Sequence, residues 1–119
     1  MVPYGSPEEI GVIQLAWLGD SVWELHQRLK YVHFPLKSKE LHLSVVNEVK
    51  AKSQSNTLSQ IEHLLNEKEL DLIRRARNKT KRYPKSLDPA VYSRATGFET
   101  LIGWLLSLIH ISEPTRRTI

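Results

Sequence analysis

A chain of 119 residues, 40% of them hydrophobic, is long enough for one domain with a modest core and too apolar for disorder. It has no cysteine, which excludes disulfides and thiolate zinc sites and agrees with a reducing cytoplasm; the N-terminus lacks the layout of a secretory signal. The net charge of +4 is concentrated in one place, because Arg74, Arg75, Arg77, Lys79, Lys81, Arg82 and Lys85 follow one another without an intervening acid, leaving the rest of the chain mildly acidic.

In chain order, Ser6-Pro7-Glu8-Glu9 reads as an N-cap, a proline at the first helical position and two acids in the first turn. Ile13, Leu15, Leu18, Val22, Leu25 and Leu29 then recur at three- and four-residue steps, which predicts one buried helical face. His33-Phe34-Pro35 ends that helix, since a residue before proline is pushed out of helical geometry.

Ser38 caps a second helix with Leu41, Val45, Val46 and Val49 inside. The polar run 51–56 is either its continuation or a break, and Leu58, Ile61, Leu64 and Leu65 form the next apolar stripe. Asn66 and Glu69 have the spacing of a capping box, opening a helix with Leu70 and Ile73 inside that runs into the basic segment and stops before Tyr83-Pro84. Asp88-Pro89 opens a final helix with Val91, Tyr92, Ala95, Phe98, Leu101, Ile102 and Leu105 at helical period. Alternation of the strand type is absent, so the chain reads as all-α with about five helices. The apolar stretch 101–111 is interrupted by Gly103, Trp104, Ser107 and His110 and is no membrane span.

Two acids stand out by their surroundings. Asp20 follows Gly19 in mid-helix beside an apolar stripe, where both residues weaken the helix. Glu99 lies in a second apolar helix between Gly97 and Gly103. Two carboxylates on two packed helices suit a hard divalent cation, although each taken alone is equally a cap or an arginine partner. The basic segment suits a polyanion or a plain solvated face. The five histidines show no metal-ligand spacing. Trp17 and Trp23, six apart, face different ways.

Leu18-Gly19-Asp20-Ser21-Val22 resembles the first acidic helix of the ribonuclease III family, and Phe98-Glu99-Thr100-Leu101-Ile102-Gly103 resembles the second. The wider words at 15–24, 49–54, 74–79 and 92–99 are similar to one branch, Mini-ribonuclease III, in the family's order. The resemblance implies an all-helical catalytic domain that lacks an appended double-stranded RNA-binding domain. It also implies a homodimer acting in the cytoplasm on double-stranded RNA, in particular precursor large-subunit ribosomal RNA.

By the same resemblance Asp20 and Glu99 are the catalytic carboxylates holding Mg²⁺ or Mn²⁺, with Glu24 a further candidate ligand. Arg74, Arg77, Asn78, Lys79, Lys81, Arg82 and Lys85 would contact the RNA, joined by Lys50 and Lys52. Longer ribonucleases III place acids where this chain has Ala16 and Thr96, so half of a four-carboxylate set is missing. The alternative is a catalytically silent ribonuclease III-like module that binds RNA or the ribosome. Leu106–Arg116 resembles no part of the family and reads like a translated sequencing-library adapter. The expectation is therefore an incomplete catalytic domain over 1–105, truncated at its C-terminal helices, and a functionless non-native tail over 106–119.

Overall fold

The computed structural model describes residues 10–33, 47–80 and 82–112, without the side chains of 47, 48 and 110–112. The described residues are all-α: α1 (Val12–Tyr31), α2 (Asn47–Ile61), a 3₁₀ turn (Glu62–Leu64), α3 (Glu67–Lys79) and α4 (Pro89–Ser112). The proposed caps at Ser6 and Ser38 lie outside the described residues, as does the inner face given to Leu41, Val45 and Val46. No helix among the described residues is long and apolar enough to cross a membrane.

Local chemistry sets three helix starts. Gly11 precedes α1, and its N–H donates to the Gln14 side chain at 2.9 Å. Asn66 and Glu69 form the reciprocal capping box of α3, each backbone N–H donating to the other's side chain at 2.9 and 2.8 Å. The Asp88 carboxylate accepts from the N–H groups of Ala90 and Val91 at 2.8 and 3.3 Å, which starts α4. The polar run 51–56 continues α2 without a break.

α4 is the central element, and α1, α2 and α3 all pack on it. One cluster of the core joins Val12, Leu15, Leu72, Ala76 and Trp104, and a second joins Leu58, Ile73, Phe98 and Leu101. Trp23 meets Phe98 edge-on at 5.6 Å, so it is the tryptophan that turns inward, while Trp17 is 77% exposed.

The buried face of α1 differs from the expected one. It is Val12, Leu15, Ala16 and Gly19, whereas Ile13, Leu25 and Leu29 are exposed. The reason is a close helix crossing that large side chains would hold open. A Cβ on Gly19 would overlap the Glu99 carbonyl, and one on Gly103 would overlap the Leu15 carbonyl. Each helix thus sets a glycine against the other's backbone. The fully buried Thr100 hydroxyl lies 2.9 Å from the Thr96 carbonyl and 3.1 Å from that of Val12, tying the two helices together.

Four further apolar positions are corrected, the first being Val49, placed on the inner face of the second helix and 51% exposed on α2. Leu64 is exposed because the chain leaves α2 for the 3₁₀ turn before reaching it. Leu70 lies toward the outer side of α3, whose inner face is Leu72, Ile73 and Ala76. Leu105 is exposed on α4, which runs on through residue 105, with Ser107 buried and donating to the Gly103 carbonyl at 2.9 Å.

Candidate active site

Asp20 lies near the middle of α1, one residue beyond the glycine contact, and Glu99 is the residue whose backbone Gly19 touches. The crossing that excludes side chains from the helix contact therefore brings the two carboxyl groups within hydrogen-bonding reach of each other. α2 closes the third side. Its Lys50 and Gln54 are one turn apart and share a face. Lys50 Nζ donates to Asp20 Oδ1 at 2.9 Å, and Gln54 Nε2 donates to Glu99 Oε2 at 3.2 Å.

The charges in this group are strongly coupled. Burial and the neighbouring Asp20 carboxylate push the Glu99 carboxyl up to about 8, against weaker opposing pulls from Gln54 and Lys50. Burial also works to raise Asp20, but the hydrogen bonds from Glu99 and Lys50 outweigh it and hold Asp20 below its usual value. Burial works to lower Lys50, and the Asp20 hydrogen bond with the charges of Asp20, Glu99 and Glu24 overcomes it, so the ammonium is held above its usual value. The surroundings thus favour a proton on Glu99 and an ionised Asp20.

These groups line a recess of about 540 Å³. Ile13, Ala16 and Trp17 border it from α1, Tyr92, Ala95 and Thr96 from α4, and Lys79, Thr80, Arg82 and Pro84 from α3 and the segment after it. The Thr96 hydroxyl donates to the Tyr92 carbonyl at 3.1 Å. Acids and cations thus meet in one hollow large enough for a phosphodiester and its neighbouring sugars.

The remaining candidate residues are spread more widely. Glu24, one turn beyond Asp20, acts on Lys50 through its charge and does not line the recess. Arg74, Arg77 and Asn78 line a separate hollow of about 320 Å³ with Glu62, Ser93 and Arg94. At about 100° per residue, Arg94 lies across α4 from Thr96 and Glu99, while Ser93 stands between the two directions, about 60° from Thr96. In that region Asp71 pairs with both Arg74 and Arg75, Arg77 Nε donates to Ser93 Oγ at 3.2 Å, and Arg94 pairs with Glu62. Lys52 and Lys85 are exposed outside both hollows, and Lys81 lies outside the described residues. Of the histidines with described side chains, His26, His33 and His63 are exposed, and His26 leans on the Trp23 ring.

Sequence reasoning passed over Gln54 and read Lys50 only as a phosphate contact. Their four-residue spacing inside Val49–Gln54 was the available sign that both sit on one helical face.

The donor set fits a hard divalent cation. It offers two converging carboxylates whose mutual repulsion is relieved only by a shared proton and a lysine, and no soft ligand. Among the described residues no group of three or more acids, histidines or cysteines gathers at one point. Waters or substrate oxygens would therefore complete the shell of an ion held by Asp20 and Glu99.

The model of the Ribonuclease III domain family matches residues 13–107. A Mini-ribonuclease 3 of Synechococcus is 39% identical over 102 residues, covering 86% of this chain and 71% of that protein. One from Gloeobacter violaceus is 42% identical over 91 residues, covering 76% and 67%. A crystal structure of a Fusobacterium nucleatum protein superposes with a TM-score of 0.75 at 32% identity, covering 91% of this chain and 88% of that one. With the acidic pair, the helical frame and these relatives in agreement, the chain belongs to the ribonuclease III family, on the branch of the Mini-ribonuclease 3 proteins.

Proposed function

We propose that this chain is a divalent-metal-dependent endoribonuclease of double-stranded RNA, working as a homodimer in the cytoplasm on precursors of large-subunit ribosomal RNA. The observation that carries the reading is the meeting of Asp20 and Glu99 in a recess rimmed by Lys79 and Arg82. Duplex RNA offers phosphates across a wide, shallow groove, and a hollow with acids at its base and cations at its rim is complementary to a backbone bearing a bound cation.

Bound Mg²⁺ or Mn²⁺ would supply an activated water and offset charge on the phosphodiester, giving 5′-phosphate and 3′-hydroxyl ends. Asp20 and Glu99 would hold it, and Glu99 gives up its shared proton as it does so. Gln54 keeps one Glu99 oxygen fixed. Lys79 and Arg82 hold flanking phosphates, with Lys81 and Lys85 extending that line. Arg74, Arg77 and Asn78 belong to a second backbone contact on the other side of α4.

Support for the dimer comes from the outer side of α1, where Ile13, Trp17, Leu25 and Leu29 are 49%, 77%, 58% and 62% exposed. Ile13 and Trp17 also border the recess, so a second copy packed there would extend its wall. The catalytic unit in this reading is residues 1–105. Residues 106–119 are given no part in it.

The test is cleavage of a uniform RNA duplex with Mg²⁺, with and without EDTA, by the wild-type chain and by Asp20→Asn. Metal-dependent cutting that Asp20→Asn abolishes, with duplex binding retained, is the expected result. Binding without cutting by a folded wild-type dimer would instead favour the silent RNA-binding module.

A further inference from the structure

In-line hydrolysis of a phosphodiester builds negative charge on the attacking oxygen, the phosphate and the leaving oxygen, and two-metal sites place a cation at each end. This recess has carboxylates for one such ion. The positions from which a third carboxylate would reach the pair are Ala16, four residues before Asp20, and Thr96, three before Glu99. The first is a methyl group, and the hydroxyl of the second is engaged with the Tyr92 carbonyl at 3.1 Å. Among the described residues, a second divalent ion would have no carboxylate of its own.

The recess does contain fixed positive charge. Of its three cations among the described residues, Lys79 and Arg82 are exposed at the rim. Lys50 is different, with a side chain only 18% exposed and its ammonium 2.9 Å from Asp20 Oδ1. Moving an ammonium out of water is costly, and a lysine serving only as a surface partner for RNA has no reason to be drawn in. Its flexible four-carbon stem permits a short swing from the Asp20 carboxylate toward a neighbouring oxygen.

We propose that Lys50 is a further catalytic residue, whose ammonium leaves Asp20 when a divalent ion takes that carboxylate and then donates to the scissile phosphate, offsetting charge there in place of a second ion. The assignment rests on the nuclease reading above. In the reaction the water oxygen bonds to phosphorus as the P–O3′ bond breaks. The water's proton passes to solvent, the 3′ oxygen takes a proton from solvent, and Lys50 remains an ammonium throughout.

The experiment uses the 119-residue chain as wild type, Lys50→Met and Lys50→Arg. Single-turnover cutting of a uniform RNA duplex is measured at saturating Mg²⁺, duplex binding in EDTA by anisotropy, and Mn²⁺ binding by calorimetry. Lys50→Met should cut about a hundredfold more slowly, the usual scale for losing one donor aimed at developing charge. Its duplex affinity should change by less than about threefold, as for one contact among many. Mn²⁺ should bind at least as tightly as to wild type, because a competing cation has gone, and Lys50→Arg should recover part of the rate.

Wild-type cutting by Lys50→Met would leave the lysine as no more than the resting partner of Asp20. A fall in duplex affinity matching the fall in rate would make it an ordinary backbone contact. Loss of Mn²⁺ binding together with loss of a cooperative melt would make the ion pair structural, and each of these three results overturns the assignment alone. A wild-type chain that binds the duplex with Mg²⁺ present and never cuts it overturns the nuclease reading, and the role of Lys50 with it.

Discussion

Replacing Gly19 by alanine adds one carbon, and on an exposed helix that change stabilises by about 1 kcal/mol. Here the sign reverses, because the new Cβ would overlap the carbonyl of Glu99, a backbone atom that cannot rotate aside. The helices must separate instead, and the upper end of the overpacking range, about 3 kcal/mol, applies. Set against the propensity gain, the net loss is about 2 kcal/mol, several degrees in melting temperature for a domain of this size. The same separation carries Asp20 away from Glu99 by roughly an ångström, a misplacement worth about a hundredfold in rate.

Gly103→Ala serves as the control. It overlaps the Leu15 carbonyl in the same way, but at a point one turn further from the acids on both helices. The two variants should lose similar stability in urea melts followed by circular dichroism, whereas Gly19→Ala should lose more cutting activity than Gly103→Ala. An unchanged or raised midpoint for Gly19→Ala would show that the helices do not meet there, and the account of how the acids are brought together would fail.

Three other outcomes are expected. Glu99 has a carboxyl pushed up from 4.5 to about 8 in the folded chain, so its contribution to stability is complete below about 4.5 and is lost as pH rises through about 8. Urea midpoints in EDTA should therefore decline from pH 5 to pH 8 more steeply for wild type than for Glu99→Gln, and equal slopes would remove the buried proton from the account. Removing charge at Lys79 and Arg82 together should lower the salt dependence of duplex binding by between one and two phosphate contacts; an unaltered slope would return the rim to the role of solvated surface. Leu25→Asp with Leu29→Lys should convert a dimer to monomer in sedimentation without lowering the melting temperature of the monomer, and a dimer that persists would move the partner's seat away from α1.

The helices were legible from residues that punctuate the chain locally. Asn66 with Glu69, and Asp88 with Pro89, act through backbone groups two or three residues away, so their meaning survives any tertiary arrangement. The buried face of α1 was not legible in the same way. A count of large apolar residues selects Ile13, Leu25 and Leu29, but the partner helix approaches along Ala16 and Gly19, and only the smallness of those residues announces it. The inner face of α2 was equally concealed. It presents Ala51, Gln54, Ser55 and Leu58, two of them polar, because it covers an acidic pair as well as a core. The basic run, continuous in sequence, divides around α4 because consecutive helical residues point about 100° apart. Lys79 and Arg82 border the recess of the acids, and Arg77 reaches Ser93.

The residues that suit their own secondary structure or burial least are gathered in one place. Gly19 and Asp20 weaken α1, Gly103 weakens α4, and Lys50, Gln54 and Glu99 set polar groups among buried neighbours. Scattered through a domain, such choices would only lower its stability. Gathered, they serve one another: the glycines give the close approach, the approach pairs the acids, and α2 supplies one donor for each acid. Charge there is balanced by a proton held on Glu99 and by the Lys50 ammonium, the two positive charges that a divalent ion between the carboxylates would replace. Departures from local rules that converge on a replaceable proton and lysine are the mark of a site shaped for a ligand. The same departures predict that the ion stabilises the fold, and that it does so more at pH 8, where about half of the Glu99 proton is already released, than at pH 6.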